Sequence, residues 1–350
     1  AYKKGRRDGA RGVSGFVAAS AGNHAQGVAL AASKCGAEST ICMPETATRA
    51  KVDATRSYGA TVELVGKDFR EAMAYAEQLV GASEASFVHA YDDPDIIAGQ
   101  GTLGIEMFEA CPTVDTVVVP IGGGGLISGV STAIKHLSPE TRVVGVQAAG
   151  AETIHESLQK GIPVPLDEVD TIADGIATGG VSQQTLDIIE QNVDEFVTVT
   201  DGEIATAILL LLERAKQVVE GAGAASVAAI LSDDLDVTGE TVMPLLCGGN
   251  LDMTMMRTLL VYALSDRKQL IRLQVRINDS PGTMAELSGI VGSHGANIHN
   301  VRHDRSVRDL TVGEAFLEFN IETAGEKQAA SIVDEIEAAG YTVEDISQPQ

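Results

Sequence analysis

The 350-residue chain contains few cysteines and no long apolar run. Its four cysteines lie far apart and form no C-x-x-C pair, which argues against a disulfide framework and against a zinc ribbon. No apolar run approaches the roughly 20 residues that a helix needs to span a bilayer. A secretory leader is also missing, and because the chain does not begin with methionine we expect it to be a piece of a longer product. These absences favour a cytoplasmic protein, and the length allows two or three domains.

Positive charge is also scarce. The sequence has 25 Lys and Arg against 49 Asp and Glu, so its formal net charge is -24. The acidic residues are spread along the chain and repel nucleic acid and anionic membranes, so we expect neither as a partner. Two explanations of the acidity stay open: a halophilic protein whose carboxylates remain solvated at high salt, and an ordinary acidic soluble protein.

Short β-type runs alternate with amphipathic helical segments over about the first 265 residues. This alternation is typical of βαβ units in a parallel sheet with covered faces. Thr200 and Glu203 form a capping box for a helix that we expect to continue from Ile208 to Leu212. We predict one α/β enzyme body of two lobes, over residues 1–110 and 111–266. The expected strands are 15–19, 39–43, 61–65, 86–88, 116–119, 142–147, 195–199 and 241–246.

The pattern changes near Lys268, where apolar and polar residues alternate from Ile271 to Ile277 in a half-buried strand. A turn over 279–282 leads into a helix, for which we predict one apolar face. That face comprises Met284, Leu287, Ile290 and Val291. Two further strands, a helix and a last strand complete the order βαββαβ, which predicts a ferredoxin-like module over residues 268–350. The remaining elements are expected at 297–303, 314–321, 326–339 and 342–346.

The segment Ser20–Gly27 places polar residues after an apolar run that ends at Ala19 and before a helix that we expect to begin near Gln26. A helix N-terminus presents unpaired N–H groups and the positive end of the helix dipole, which favour an anion. Asn23 and His24 add side-chain donors and acceptors. The segment predicts a carboxylate or phosphate site, with an ordinary N-cap turn as the alternative.

A glycine run is the second candidate anion site. It consists of Gly122, Gly123, Gly124 and Gly125 and is followed by Leu126. No register of the run matches G-x-G-x-x-G, so a dinucleotide fingerprint is not supported. Four successive residues without a Cβ allow backbone amides to converge on one anion, which predicts a phosphate site. A tight turn from strand to helix is the alternative.

Six motifs occur in a fixed order along the chain. They are SAGNHAQG from Ser20, GQGTLGIE from Gly99, GGGGL from Gly122, ADGIA from Ala173, EGAGA from Glu220 and CGGN from Cys247. In this order they resemble the threonine dehydratases, or threonine ammonia-lyases, which are pyridoxal-phosphate lyases of the tryptophan-synthase-β fold, fold type II. The resemblance covers essentially the whole body, and the C-terminal module resembles an ACT regulatory domain. It implies pyridoxal 5′-phosphate as cofactor.

The resemblance also implies two sets of site residues. The cofactor set is Asn23 at the 3′-oxygen, Gly122, Gly123, Gly124, Gly125 and Leu126 at the phosphate, Gly175 and Glu220 near the ring, and Cys247 at the pyridine nitrogen. The substrate set is Ser20, Ala21, Gly22 and His24, at the carboxylate. A neutral partner leaves the pyridine nitrogen largely unprotonated, which favours prompt loss of the β-hydroxyl. The role of Glu220 stays open, and a solvated or capping glutamate is the alternative.

The implied reaction is β-elimination from L-threonine, which gives 2-oxobutanoate and ammonia. It requires a lysine, as Schiff-base partner and base, in a segment like S-F-K-x-R-G-A-Y. Because Ala1-Tyr2 matches the end of that segment, we expect the lysine about four residues upstream of Ala1 and no catalytic residue within the chain. This piece alone would then be inactive. Lys3 and Lys4 lie beyond the expected position, and we expect them to be solvated.

Ala21 favours elimination over racemisation. In serine racemases of this fold a serine at this position is the acid–base group on the opposite face of the substrate, and alanine has no proton to give. Those racemases bind a divalent cation through carboxylates where this chain has Gln147 and Thr153, so we predict no such metal site and leave a monovalent ion open. A one-methyl difference discriminates by only about 1–3 kcal/mol, so we expect side activity on L-serine, which gives pyruvate.

In the C-terminal module, Asp279, Gly282 and Asn297 match positions at which ACT domains receive an amino-acid effector between paired modules. The resemblance implies feedback by isoleucine or valine, as in isoleucine biosynthesis, and a homo-oligomer. A purely structural dimerisation domain is the alternative. Two other functions stay open, a serine racemase-like enzyme and a catalytically inactive protein that senses amino acids or holds the cofactor.

Overall fold

The computed structural model describes residues 15–251, 253–306 and 310–347. The chain divides between residues 251 and 252 into two compact units. Over the described residues the first unit contains two four-stranded parallel sheets, and the second contains one four-stranded antiparallel sheet. The predicted fold class, an α/β body with parallel sheets and a separate C-terminal sheet, is confirmed, and the predicted domain bounds at 110, 266 and 268 stay predictions. The expectations for Ala1, Tyr2, Lys3 and Lys4 lie outside the described residues.

The first sheet of the body has the strand order β3-β2-β1-β4. Its strands are β1 (Gly15–Ala19), β2 (Glu38–Met43), β3 (Thr61–Leu64) and β4 (Ser86–Phe87). Its helices are α1 (Asn23–Cys35), α2 (Arg49–Ser57), α3 (Phe69–Gly81) and α4 (Pro94–Ala110). All five residues of β1 are buried, as in a parallel strand that is covered on both faces.

The second sheet has the strand order β7-β6-β5-β8. Its strands are β5 (Thr116–Pro120), β6 (Arg142–Ala148), β7 (Glu195–Val199) and β8 (Val242–Pro244). Its helices are α5 (Gly125–Leu137), α6 (Ile154–Lys160), α7 (Gln183–Asn192), α8 (Asp201–Leu210) and α9 (Gly221–Leu231). The glycine run joins the carboxyl end of β5 to α5, and β1 meets α1 in the same way. Ligands of parallel sheets bind at these carboxyl ends.

Two predicted helix boundaries were wrong. Helix α1 begins at Asn23 and not near Gln26, because its N-cap is Gly22, which has no side chain to mark the boundary. The capping box of Thr200 and Glu203 is confirmed. However, the helix that it starts ends at Leu210, and 211–215 form a π-helical turn.

The C-terminal unit begins with α10 (Met253–Asp266), and its sheet has the order β10-β11-β9-β12 with antiparallel pairing. Its strands are β9 (Leu270–Asn278), β10 (Asn297–Asp304), β11 (Glu314–Glu322) and β12 (Thr342–Asp345). Its other helices are α11 (Thr283–Ser293) and α12 (Glu326–Ala338). This is the ferredoxin-like βαββαβ arrangement. No helix of the described residues is long and apolar enough to cross a membrane.

Met284, which we predicted on the apolar face of α11, is exposed to solvent. Leu287 and Val291 are fully buried, whereas Met284 is 40% exposed. The buried residues Thr283, Leu287 and Val291 form one row at i, i+4 spacing, and Met284 lies beside that row on the solvent side.

Candidate active site

A short loop joins β1 to the first turn of α1. The hydroxyl of Ser20 accepts a hydrogen bond from the N–H of Gly22 at 3.1 Å, and the N–H of Ser20 donates to the carbonyl of Cys42 at 3.1 Å. Over the described residues, the three backbone N–H groups that open α1, beginning with Asn23, donate no hydrogen bond. Open donors at the positive end of a helix dipole can receive an anion.

His24 is committed to the backbone. Its Nε2 lies 3.0 Å from the carbonyl oxygen of Val88. Burial lowers the pKa of His24 to about 4, so the ring is neutral and Nε2 carries the hydrogen that is donated to Val88. The ring therefore brings no positive charge to an anion at α1, and its remaining nitrogen is an acceptor. An anion at this turn would be held by backbone N–H groups.

The glycine run Gly122–Gly125 is anchored through its carbonyl groups. The hydroxyl of Thr185 donates to the carbonyl of Gly123 at 2.9 Å, and the N–H of Ser128 donates to that of Gly124 at 3.0 Å. Gly124 has φ +88°, and a Cβ there would lie 2.8 Å from the Cβ of Thr185. Among the described residues the four glycine N–H groups donate no hydrogen bond. They remain available for an anion such as phosphate.

Glu220 is a buried carboxylate, only 6% exposed. Its Oε1 accepts a hydrogen bond from Nδ2 of Asn23 at 2.8 Å, and the backbone N–H of Asn250 also donates to it. Burial raises the pKa of Glu220, whereas these two hydrogen bonds and the charge of Lys51 act in the opposite direction. Asn23 itself is exposed, so its amide is accessible to a ligand.

Two glycines make room for this carboxylate. A Cβ on Gly248, which has φ +114°, would lie 1.8 Å from Oε1 of Glu220, and one on Gly175 would lie 3.3 Å from the same atom. Next in the chain to Gly248 is Cys247, whose pKa is raised to about 12 by burial and by the charge of Glu220. Its thiol is therefore protonated and neutral at physiological pH.

Contacts and short chain segments join the candidate residues of the body into a closed path, which we call the contact ring. On one side, a Cβ on Gly122 would lie 3.0 Å from the Cα of Ile176. On the other side, a Cβ on Gly123 would lie 2.2 Å from the ring of Tyr91. The residues in order along this path are Asn23, Glu220, Gly175, Ile176, Gly122, Gly123, Tyr91, Val88 and His24. Tyr91 and Val88 are joined by the chain segment between them, and three other pairs are neighbours in the chain. The structure thus brings the predicted substrate loop, glycine run, Gly175 and Glu220 together.

Two other predicted residues contribute packing. Ala21 is half-buried and packs against the core of the first sheet, so it presents a methyl group and no titratable group. Leu126 is half-buried and packs against the core of the second sheet, which anchors the first turn of α5.

The Gln147 and Thr153 region is occupied by protein hydrogen bonds. The Oε1 of Gln147, 2% exposed, accepts from the N–H groups of Thr153 at 3.0 Å and Ile154 at 2.9 Å. Its Nε2 donates to the carbonyl of Ala151 at 3.3 Å. Over the described ranges, no group of three His, Cys, Asp or Glu is placed to hold a metal.

The predicted effector residues are not together within one copy of the C-terminal unit. Asp279 and Gly282 lie in the turn that precedes α11, and Arg305 binds the carboxylate of Asp279 at 2.5 and 3.2 Å. This contact lowers the pKa of Asp279 and keeps it anionic. Asn297 begins β10 and pairs with Glu322, at the opposite end of the sheet. A strand the length of β10 spans about 23 Å.

Tyr91 and Lys51 are site residues that the motifs do not indicate. Tyr91 lies against the glycine run, and Lys51 reaches Asp174, with its Nζ 3.5 Å from Oδ2. Both lie in segments without a glycine or apolar signature, so periodicity could not have singled them out. Asn250 was present in the CGGN motif, but its N–H bond to Glu220 depends on the fold.

The chain was compared with known proteins. The model of a family described as pyridoxal-phosphate dependent enzyme matches residues 2–248. L-threonine ammonia-lyase of Thermotoga maritima is 45% identical over 329 residues, which cover 94% of this chain and 82% of that protein. Among solved structures, the processed form of threonine deaminase isoform 2 from Solanum lycopersicum has a TM-score of 0.70 and 34% identity, over 75% of this chain and 79% of that one. Maize serine racemase has a TM-score of 0.67 and 29% identity, over 77% and 85%.

Proposed function

The chain belongs to the family of pyridoxal-phosphate dependent enzymes that includes the L-threonine ammonia-lyases, and from that premise we propose that its contact ring is where L-threonine is deaminated. Elimination removes the β-hydroxyl as water and leaves an enamine, which tautomerises to an imine. Water then hydrolyses the imine to 2-oxobutanoate and ammonia, so no water is lost overall. Pyridoxal phosphate, when bound, would supply the electron sink at the α-carbon. The observation that carries the assignment is the Asn23–Glu220 hydrogen bond of 2.8 Å. It joins the substrate loop to the residues expected around the cofactor.

The residues of the ring fit this cofactor. The glycine run, with open N–H groups and Gly124 in a left-handed conformation, suits the phosphate, and Leu126 fixes the helix behind it. Gly175 has no side chain, so the space that a larger residue would fill beside the cofactor ring stays open. The protonated thiol of Cys247 is a neutral partner for the pyridine nitrogen, which keeps that nitrogen largely unprotonated.

Asn23 and Glu220 act as a pair in this proposal. The amide nitrogen of Asn23 carries two hydrogens, and one is donated to Glu220. The second is available to the 3′-oxygen of the cofactor. Glu220 therefore positions the amide, because a buried acceptor at 2.8 Å restricts its rotation.

At the substrate end, the N–H groups that open α1 hold the carboxylate of the amino acid, with Ser20 and Gly22 shaping the turn and His24 tying it to Val88. Ala21 has no proton to exchange on the opposite face of the substrate, which favours elimination over racemisation. L-Serine, one methyl smaller, is the second substrate that we propose. The lysine expected to act as base falls outside the described residues.

One experiment separates these activities. Purified protein that carries the expected Schiff-base lysine is incubated with L-threonine and, separately, with L-serine, and the keto acid, ammonia and both amino-acid enantiomers are quantified. We expect keto acid and ammonia in equal amounts, with little D-isomer. Dominant formation of the D-isomer would support a racemase. No consumption of either amino acid would support the non-catalytic sensing protein.

We further propose a homo-oligomer that is regulated by isoleucine or valine through an ACT-type pairing of the C-terminal modules. Asp279 and Gly282 lie at one end of the sheet and Asn297 at the other, so a shared site would need residues from two copies. Titration calorimetry with each amino acid and light scattering test this. No heat, unchanged kinetics and a monomeric mass would contradict it. The free thiols within the described residues support a reducing cytoplasm as location.

A further inference from the structure

Tyr91 lies directly against the glycine run. A Cβ on Gly123 would lie 2.2, 2.3 and 2.4 Å from the Cδ1, Cε1 and Cγ atoms of the tyrosine ring. A Cβ on Gly125 would lie 2.7 Å from the Cβ of Tyr91. Real Cβ atoms do not approach other atoms this closely, so the ring requires glycine at position 123, whereas the Cβ and backbone of residue 91 require glycine at position 125. Gly123 and Gly125 therefore leave room for Tyr91 and also give the backbone its conformational freedom.

The segment around Tyr91 is held from two directions. Its N–H donates to Nδ1 of His89 at 3.3 Å, and the two rings meet edge to face with centroids 4.7 Å apart. The next residue, Asp92, donates its N–H to the same Nδ1 at 2.8 Å and accepts a hydrogen bond from the hydroxyl of Ser182 at 2.7 Å. Ser182 caps α7, so the segment that carries the tyrosine is tied to a helix of the second sheet.

Three residues before Tyr91, the carbonyl of Val88 accepts the hydrogen bond from His24. One short segment thus contacts both the substrate loop and the glycine run. Tyr91 is half-buried, and burial together with the charge of Asp92 raises its pKa, so the phenol stays neutral beside an anion site. An ionised phenol there would repel a phosphate.

We propose that Tyr91 is a positioning residue for the cofactor phosphate: its ring, packed on Gly123, holds the glycine run in the conformation that leaves the glycine N–H groups open to the phosphate. This inference rests on the proposed function and deepens it. Tyr91 acts through the shape of the glycine run, so the aromatic ring is required and its hydroxyl is not.

The test measures how much the phosphate contributes to cofactor affinity. Equilibrium dialysis gives the dissociation constants of pyridoxal phosphate and of pyridoxal, which lacks the phosphate, and inorganic phosphate serves as a competitor. We expect Tyr91→Ala to reduce the ratio of the two affinities by about tenfold or more, which corresponds to about 1.4 kcal/mol. Tyr91→Phe should keep the ratio within about threefold of the wild-type value, because it keeps the ring.

A double-mutant cycle adds a second readout. Gly123→Ala places a methyl group against the ring and should lower the ratio, whereas the same change in a Tyr91→Ala background meets open space. We therefore expect the effects of the two changes to be clearly non-additive. Tyr58→Ala is the matched control, since Tyr58 is 38% exposed at the end of α2 and should leave the ratio unchanged.

The outcomes separate two levels of failure. If wild-type protein binds pyridoxal phosphate no better than pyridoxal, the proposed function itself is contradicted. If the wild type prefers pyridoxal phosphate and Tyr91→Ala keeps the same affinity ratio, the role of the ring is overturned. It is also overturned if Tyr91→Phe lowers the ratio as much as Tyr91→Ala does. Circular dichroism checks that each variant is folded. If Tyr91→Ala does not fold, Tyr91→Leu is tested in its place, because leucine keeps the bulk of the side chain without the ring. The leucine variant should then show the lower ratio, and a wild-type ratio would contradict the proposal.

Discussion

Asn23 and Glu220 are separated by 197 positions in the chain, and the side-chain amide of the first donates to the carboxylate of the second at 2.8 Å. Asn23 opens α1, which follows strand β1 of the first sheet, and Glu220 is the N-cap of α9, which packs against the second sheet. The hydrogen bond is thus a direct link between the two halves of the body. It places a titratable, buried group beside an exposed amide at the candidate active site.

The hydrogen bond between Asn23 and Glu220 predicts that substitutions of the two residues lower kcat/KM in a non-additive way. Asn23→Ala and Glu220→Ala should each lower kcat/KM for threonine by about 10–100-fold. The double variant should be little worse than either single variant, because Asn23→Ala removes the amide and Glu220→Ala removes the acceptor that orients the same amide. Steady-state kinetics of the four proteins measure the coupling. Fully additive losses would show that the residues act independently.

The charges of Lys51 and Asp174 should shift the acid limb of the kcat/KM profile in opposite directions. The charge of Lys51 lowers the pKa of Glu220, and that of Asp174 raises it. Lys51→Met should therefore move the Glu220-dependent acid limb of the kcat/KM profile to higher pH, and Asp174→Asn should move it to lower pH. Shifts in the same direction for both variants would contradict this electrostatic account. Arg49→Met, an exposed substitution in the same helix, is the control.

The depressed pKa of His24 predicts a loss of stability in acid. Because its folded-state pKa is about 4 and the unfolded value is 6.5, the unfolded chain binds more protons between these two values. The free energy of unfolding should fall as the pH decreases from about 6.5 to 4, by up to roughly 3 kcal/mol from this group. Denaturant titrations of wild-type and His24→Gln protein across that range isolate the contribution. Parallel curves would mean that His24 is not the cause.

The raised pKa values of two thiols predict slow chemical modification. Desolvation raises the pKa of the half-buried Cys247 to about 12 and that of the buried Cys42 to about 11. At pH 8, iodoacetamide should label both residues slowly in the folded protein and rapidly after denaturation, because the thiolate is the reacting species. Peptide mass spectrometry assigns the sites. Rapid labelling of Cys247 in folded protein would contradict the neutral-thiol assignment.

Short apolar runs predicted most of the strands of the body because the buried residues of a covered parallel strand are continuous in sequence, and alternation predicted β9 of the C-terminal unit. The half-buried strand β9 shows this clearly, since Leu273 and Val275 are fully buried at the expected spacing. Boundaries without side-chain signals were predicted less well. Helix α1 starts after Gly22, which offers no capping group, so the start was placed too late.

The candidate site was predicted as a set of motifs, and the fold was needed to connect them. Nothing local to Glu220 indicates that its partner is Asn23, because the contact depends on how the two sheets of the body are placed. The same holds for Tyr91, whose importance arises from the missing Cβ atoms of Gly123 and Gly125. Motifs therefore predict which residues take part, and packing determines which of them act together.

The most direct measurement of the central claim is product stoichiometry as a function of bound cofactor. Purified protein that carries the expected Schiff-base lysine is freed of pyridoxal phosphate by dialysis, the cofactor is added back in steps, and 2-oxobutanoate and ammonia formed from L-threonine are quantified. We predict equal amounts of both products, formed in proportion to the bound cofactor. Activity that is independent of the cofactor, or ammonia without 2-oxobutanoate, would contradict the account.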